Sequence, residues 1–270
     1  YQNLHHNVFF RDNEGPERVF SAFDSVHRED LWIYQEYQRA IGHENFSIPH
    51  NSNVSNSAMF ALHTSNGNPI DNRWAYRSAR NSPAVEIMQT KGDSECRNGI
   101  ASVVGAADEF CDFEKLRAPT EDIEDCDETV GRGGMMLSGC TSRYSFVRYA
   151  LAAGLKERSS IGVNPFAMGI VAATDTHNGL PAAESEANYQ GSHGMDRKVL
   201  RRLEGRTEVP GGIGAGSPVR YNPGGLAGIY ASQNSRQALF DAMRRRETFG
   251  TSGPRILLWF DLLNAPGGSP

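Results

Sequence analysis

An apolar run over residues 166–173, leading directly into Asp175 and His177, constrains the fold of this chain more than any other stretch. A run of this length is typical of a buried strand. Side chains two positions apart on an extended segment point the same way, so Asp175 and His177 are expected to project together from its carboxyl end. Sheets of α/β proteins place their sites at such ends, and a carboxylate beside an imidazole suits Zn, Mn or Fe. The alternative is that Asp175 caps a turn and His177 is a surface residue.

Three more predicted strands are expected to bring metal-type ligands to the same edge. The strands expected over 3–12, 45–51 and 84–88 carry, in that order, His5, His50 and Glu86. Several strands that each supply a ligand indicate a metal site far more strongly than any single residue does. His6 faces the other side of the first strand and is expected to be structural.

The remaining pattern alternates strands with helices. Apolar spacing and capping residues predict helices that open at Pro16 and that span 29–41, 142–158 and 236–247, and a last strand over 255–263. This order predicts a mainly parallel sheet, open or closed into a barrel. Two irregular segments interrupt it, an insertion over about 92–134 and a Gly/Pro-rich loop over about 205–228, which is expected to be a lid or site loop.

Size and charge narrow the class of protein. The chain has 270 residues, a hydrophobic content of 39% and a net charge of −5, which gives no overall attraction to nucleic acid or to an anionic membrane. No apolar run approaches the roughly 20 residues of a membrane helix. Because the chain starts at Tyr1 without Met, a fragment or a processed product is expected.

Four cysteines lie within one loop-rich segment and form no Cys-x-x-Cys pair, which argues against a zinc knuckle. The residues are Cys96, Cys111, Cys126 and Cys140. One or two disulfides would indicate a periplasmic or extracellular protein. Unpaired, partly buried thiols in a cytoplasmic protein are the alternative.

Long motifs in this sequence resemble a bacterial family of uncharacterised proteins, DUF3604. The motifs include Ile48-Pro-His-Asn51, Val85-Glu-Ile-Met-Gln-Thr-Lys-Gly-Asp-Ser-Glu95, Thr174-Asp-Thr-His177 and Arg245-Arg-Glu-Thr-Phe-Gly-Thr-Ser-Gly-Pro-Arg255. That family resembles the PHP (polymerase and histidinol phosphatase) metal-dependent phosphoesterases. The resemblance implies an α/β fold of the distorted (β/α)7-barrel type over residues 1–270, as a single hydrolase domain that is incomplete because its N-terminal strands are missing.

The same resemblance implies two or three divalent ions, Zn, Mn or Fe, in the complete protein. His5 and His50 resemble the histidines that hold one ion, Asp175 the aspartate of a second and His177 the histidine of a third. The early His-x-His motif and the bridging glutamate of PHP proteins have no counterpart here. Glu86 does not match that glutamate, and is expected to support a ligand or to be one itself.

The function expected from these residues is hydrolysis of a small phosphate or sulfate ester by a metal-bound water, with no catalytic side chain assigned. Arginines suit the anionic group of such a substrate, and the candidates are Arg11, Arg77, Arg80 and Arg143. The alternative is a non-catalytic binding or structural module with a degenerate metal site. An amidohydrolase would need a metal-bridging lysine, for which Lys91 is the nearest candidate but lies in a predicted loop.

Overall fold

The structure is a computed structural model that describes residues 4–100, 103, 105–117, 122–177, 179, 189, 222–261 and 263. Four helices lie within these residues: α1 Arg28–Ala40, α2 Asn72–Asn81, α3 Val147–Ile161 and α4 Arg236–Arg244. The described strands are β1 His6–Phe10, β2 Asn45–Pro49, β3 Ala84–Gln89, β4 Gly92–Asp93, β5 Gly169–Ala172, β6 Ala227–Ile229 and β7 Thr248–Gly250. None of the described helices is long and apolar enough to cross a membrane.

The described strands form three small sheets. In the first, β1 and β2 are antiparallel, and His6 lies opposite Pro49. In the second, β3 lies between β4, to which it is antiparallel, and β5, to which it is parallel. The third is the antiparallel pair of β6 and β7. The fold is therefore a mixed α/β arrangement.

The predicted distorted (β/α)7-type barrel is wrong, because the described strands do not close into a barrel. A parallel barrel requires each strand to return to the same end of the sheet through a crossover. Among the described strands, only β3 and β5 are hydrogen-bonded to each other in parallel. After α1 the chain enters β2 antiparallel to β1, and after β3 it reverses within two residues into β4.

Local sequence signals located several elements well. The helix predicted over 29–41 is α1, and Gly42 follows it with a positive φ of 102°. The Ser235 side chain accepts a hydrogen bond from the backbone N–H of Ala238 and so begins α4 where the sequence indicated. The helix predicted over 142–158 starts later, at Val147, after a short 3-10 turn over Arg143–Ser145.

Two predicted elements are absent from the described residues, and one helix was missed. No helix opens at Pro16, and the Asp24 carboxylate instead accepts a hydrogen bond from the Ser21 backbone N–H and closes a turn. The described part of 255–263 forms no strand. The missed helix is α2, which the Asp71 side chain caps by accepting from the Trp74 N–H at 2.7 Å.

Two apolar clusters hold the strands that carry the predicted ligands. The larger cluster joins α1, α2, β3 and α3 through buried residues that include Trp32, Trp74, Val85, Val147 and Phe166. The smaller joins β2, β3, β5 and α4 through Phe46, Ile48, Ala84, Val171 and Phe240. The rings of Phe46 and Phe240 lie 4.6 Å apart, centroid to centroid. Burial of these groups packs β2 and β5 against β3.

The irregular insertion contains the disulfide Cys96–Cys111, and the disulfide Cys126–Cys140 joins its last part to a residue just beyond it. The four cysteines are therefore paired and are not free thiols. Most of the Gly/Pro-rich loop predicted over about 205–228, namely residues 205–221, lies outside the described residues.

Candidate functional site

The ends of three strands bring His50, Glu86 and Asp175 together. His50 follows the last residue of β2, Glu86 lies within β3, and Asp175 comes three residues after β5. β2 runs beside β3 in the same direction, because the Ser47 hydroxyl contacts that of Ser82 at 3.1 Å just before β3 begins, and His50 contacts Glu86 further along. Parallel pairing then places the end of β5 at the same edge.

Hydrogen bonds fix the orientation of the His50 ring. Its Nδ1 lies 2.9 Å and 3.0 Å from the two carboxylate oxygens of Glu86, which is 3% exposed. Its Nε2 lies 3.1 Å from the Asn51 side-chain amide, whose oxygen accepts a hydrogen bond from Gln89. This chain of donors assigns the proton of the neutral ring to Nδ1 and the lone pair to Nε2.

The backbone of Asn51 makes this arrangement possible. Asn51 has a φ of 58°, in the left-handed region, which asparagine tolerates better than most residues. The turn that results brings the Asn51 amide back to the histidine that precedes it.

The charges around the cluster shift the pKa values of His50 and Asp175 in opposite directions. Burial alone would lower the pKa of His50, but the Glu86 hydrogen bond, with the charges of Glu86 and Asp175, raises it above the usual value. Burial alone would raise the pKa of Asp175, but the charges of Lys91 and His50 and the Lys91 hydrogen bond lower it. The cluster therefore favours a cationic group between these carboxylates.

Lys91 supplies such a cation. Its side chain is buried, and its ammonium group donates a hydrogen bond to Oδ2 of Asp175. The other oxygen of Asp175, Oδ1, lies 3.7 Å from Nε2 of His50. The two carboxylate oxygens of Asp175 thus face two different partners.

The remaining predicted ligands lie at the margin of the cluster. The His5 ring stacks on the His50 ring, with centroids 5.9 Å apart and planes inclined by 9°, although His5 is otherwise exposed. Burial on that side, together with the charges of His50 and Lys91, lowers the pKa of His5. His177 is exposed, and its charge contributes to the lowered pKa of Asp175. His6 contacts the Leu4 carbonyl at 2.7 Å through Nδ1.

The four arginines predicted to bind an anion contact other side chains. Their partners are Asp241 for Arg11, Glu36 for Arg77, the Tyr76 hydroxyl for Arg80, and Glu128 with the Tyr144 hydroxyl for Arg143. Arg11 lies at the end of β1 opposite to His5, where its backbone N–H donates to the Glu44 carbonyl. The structure therefore does not group these arginines with the cluster.

Sequence reasoning missed the roles of Asn51, Gln89 and Lys91, although it correctly placed Lys91 in a loop, which the structure forms as a turn. The available signal was position, because Gln89 ends β3, and Asn51 and Lys91 each lie two residues beyond the end of a buried strand. Polar side chains at the end of a buried strand need hydrogen-bond partners, and neighbouring strand ends are the nearest source.

The sequence matches the family described as "Protein of unknown function (DUF3604)" over residues 1–260. The chain belongs to the DUF3604 family. One protein similar to this DUF3604 chain is an uncharacterised protein of Chlamydia pneumoniae, 41% identical over 51 residues, which cover 19% of the chain and 8% of that relative. The match thus spans a small part of the relative's length. No solved structure matches the chain.

Two atoms in the cluster of this DUF3604 chain have the chemistry and spacing of metal ligands. The 3.7 Å between His50 Nε2 and Asp175 Oδ1 is near the separation of about 3.3 Å expected for two ligands of a tetrahedral zinc ion. A carboxylate on the opposite ring nitrogen, here Glu86, commonly supports a ligating histidine. Across the described part of the chain, no three His, Cys, Asp or Glu side chains converge on a common point that could hold a metal ion. The described residues thus fit part of a metal-binding set.

Proposed function

We propose that this chain is part of a metal-dependent hydrolase of small phosphate or sulfate esters, distantly related to the PHP phosphoesterases. The observation that carries the proposal is the buried Glu86–His50 pair, in which the ring nitrogen opposite Glu86, Nε2, also lies 3.7 Å from Asp175. Function by fold analogy alone would be weak, so the proposal rests on the chemistry of these side chains.

Each residue of the cluster has a role in this proposal. His50 and Asp175 would hold a Zn, Mn or Fe ion, and His5 and His177 are adjacent donors that the same site would recruit. A divalent ion held by these residues would supply activation of a water molecule and positive charge towards the oxygens of the ester. Glu86 keeps the proton on Nδ1 of His50, and so keeps Nε2 available as a donor atom.

The two disulfides are relevant to the cellular location of the protein. Disulfides persist in oxidising compartments and are rare in the cytosol. Two of them in the insertion support a periplasmic or extracellular location as part of this proposal.

A second candidate function is a binding or structural module with a degenerate metal site. The observation that favours it is the contact of Lys91 with Asp175, because an ammonium group already neutralises the carboxylate that a metal ion would use. Such a module would keep the fold of the cluster and would not hydrolyse esters.

Metal content measured by inductively coupled plasma mass spectrometry distinguishes the two functions. We expect the purified chain to retain Mn, Zn or Fe, and the double variant His50→Ala/Asp175→Ala to lose it. The matched control is His27→Ala/Asp12→Ala, because His27 and Asp12 are both exposed and lie outside the cluster. Circular dichroism verifies that both variants fold.

Hydrolysis of 4-nitrophenyl phosphate and of 4-nitrophenyl sulfate by the metal-loaded chain is the second measurement. Turnover that the cluster variant loses and the control keeps supports the hydrolase. Bound metal without turnover of either ester would favour the binding module, and so would the absence of bound metal from both wild type and cluster variant. Metal bound equally by the two proteins would contradict a metal site at His50 and Asp175.

A further inference from the structure

The ammonium group of Lys91 occupies the side of Asp175 that faces away from His50. It donates to Oδ2, whereas His50 Nε2 lies on the Oδ1 side, at 3.7 Å. Lys91 is 5% exposed, so its charge has little contact with water. A buried ammonium is costly unless a carboxylate or another anion accompanies it. Asp175 therefore serves as the counter-ion of Lys91.

The backbone of Lys91 is held on both sides. Its N–H donates to the Gln89 side-chain oxygen at 2.5 Å, and its carbonyl accepts from the Asn53 amide at 3.1 Å. Gln89 also bonds to Asn51, so the strand end that orients His50 also positions Lys91. A substitution at His50 or at Lys91 would therefore alter the position of the other residue.

Gly92, the residue after Lys91, is packed too closely against its neighbours for its backbone to move. Gly92 has a φ of 97°, and a Cβ atom there would lie 2.5 Å from the Glu114 carbonyl oxygen and 2.8 Å from the Leu116 nitrogen. The turn at Gly92 thus rests on the disulfide-bearing insertion. With its backbone fixed in this way, Lys91 can change partner through its flexible side chain alone.

A divalent ion at Asp175 and the ammonium group of Lys91 would compete for one carboxylate. When the ion binds, Lys91 loses the counter-ion that compensates its burial, and a second anion within reach of the side chain becomes favourable. The anionic oxygens of a phosphate or sulfate ester provide that anion, because they are brought to the same place by the ion.

We propose that Lys91 is an exchangeable counter-ion: it neutralises Asp175, is displaced by a divalent ion, and then binds the anionic group of the substrate. The inference rests on the proposed hydrolase function and adds a residue that binds the phosphate or sulfate group. Lys91 thereby takes the anion-binding role that the sequence had suggested for Arg11, Arg77, Arg80 and Arg143.

The test uses Mn²⁺ alone and then inorganic phosphate or sulfate, with binding followed by isothermal titration calorimetry on the full chain. Lys91→Met keeps the length and burial of the side chain and removes its charge. We expect it to bind Mn²⁺ more tightly than wild type, by about 5- to 150-fold, the usual range for coupled sites. We expect the Mn²⁺-loaded variant to bind phosphate and sulfate at least about tenfold more weakly than wild type.

Lys156→Met is the matched control, since Lys156 is an exposed lysine on α3, and it should bind both probes as wild type does. If Lys91→Met does not fold, Lys91→Gln, which removes the charge and keeps a hydrogen-bond donor, should show both changes to a smaller extent. The comparison of phosphate with sulfate shows which ester group the site prefers.

The outcomes separate this inference from the function on which it rests. If wild type and Lys91→Met bind Mn²⁺ and the anions equally, the exchange is wrong and the hydrolase remains. If Lys91→Met binds Mn²⁺ more weakly, Lys91 supports the ion and does not compete with it, which also overturns the exchange. If none of the proteins binds Mn²⁺, the hydrolase proposal fails, and the inference fails with it.

Discussion

Glu29, at the start of α1, accepts hydrogen bonds from three donors. Its carboxylate accepts from the Trp74 indole N–H at 2.8 Å and from both the backbone N–H and the hydroxyl of Ser65. Arg28 lies beside it, with Nε at 3.8 Å, and is itself buried. Burial would raise the pKa of Glu29, but the bonds from Ser65 and Trp74 and the charge of Arg28 lower it.

This lowered pKa predicts a loss of stability in acid. A carboxyl group with a depressed pKa in the folded state stabilises the protein above its ordinary pKa of 4.5 and loses that contribution as pH falls through the lower, folded value. We expect Glu29→Gln to cost about 1–3 kcal/mol at pH 7 and to show a flatter pH dependence below pH 4.5. Urea unfolding followed by tryptophan fluorescence measures both. Glu17→Gln, at an exposed position outside the helices, is the control, and a curve for Glu29→Gln parallel to that of wild type would contradict the assignment.

Individual residues of the cluster were the most predictable part of the molecule. His50, Glu86 and Asp175 were located from sequence because each one is tied to an apolar run that the structure forms as a strand. The sequence did not predict the contacts of Asn51, Gln89 and Lys91. The contacts between Gln89 and Asn51 and between Lys91 and Asp175 join the ends of different strands. Whether these side chains bind a metal ion stays a prediction.

At the scale of elements, the Cys126–Cys140 disulfide closes a loop that is attached to the segment following His50. The side-chain amide of Asn56 donates to the Ser138 and Cys140 carbonyls at 3.1 Å and 2.6 Å. The side-chain oxygen of Asn56 accepts from the Gly134 N–H, and its backbone carbonyl accepts from Gly131. The disulfide loop and the site segment are thus joined by the same residue.

We therefore expect Cys126→Ser/Cys140→Ser to lower the free energy of unfolding. The bonded cysteines are 14 residues apart, and a loop of that size corresponds to about 3 kcal/mol of chain entropy. Thermal unfolding under non-reducing conditions measures the change. Met136→Ser, an exposed position in the same loop, should leave the midpoint nearly unchanged, and an equally stable disulfide variant would show that Asn56 holds the loop without the covalent link.

Predictions of helices and strands were correct where the sequence signal was local, and they failed where the structure depends on distant residues. Capping by Ser235 and the glycine after α1 located two helices, because those interactions span a few residues. The pairing of the strands was not predictable from local signals, and the barrel prediction was wrong. The pairing of β1 with β2, for example, depends on residues about 40 positions apart. The polar helix α2 was missed because Trp74 and Ala75 are its only buried apolar residues.

At the scale of the whole molecule, the described surface includes several large apolar side chains. The densest group lies in one run, in which Ile256, Leu257, Trp259 and Phe260 are each at least 60% exposed. Contiguous exposed apolar surface favours association or aggregation. The predicted strand over 255–263 relied on the apolar character of this run, which in the described residues has no sheet beside it.

We expect the wild-type chain to bind the dye ANS and to self-associate at high concentration, and Leu257→Ser/Phe260→Ser to reduce both. Size-exclusion chromatography with light scattering measures the association. Leu155→Ser, at an exposed position on α3 outside this run, is the control. Equal association of the double variant and the control would show that another surface is responsible.

The contact of α4 with the first sheet also has a consequence for the synthesis of the chain. Phe240 covers Phe46, and Asp241 pairs with Arg11 across 230 positions of sequence. At translation rates of about 5–20 residues per second, the covering helix leaves the ribosome roughly 10–40 s after β2. During that interval the apolar side of the sheet of β1 and β2 has no partner from α4, so we expect nascent chains to require chaperones until α4 has been made.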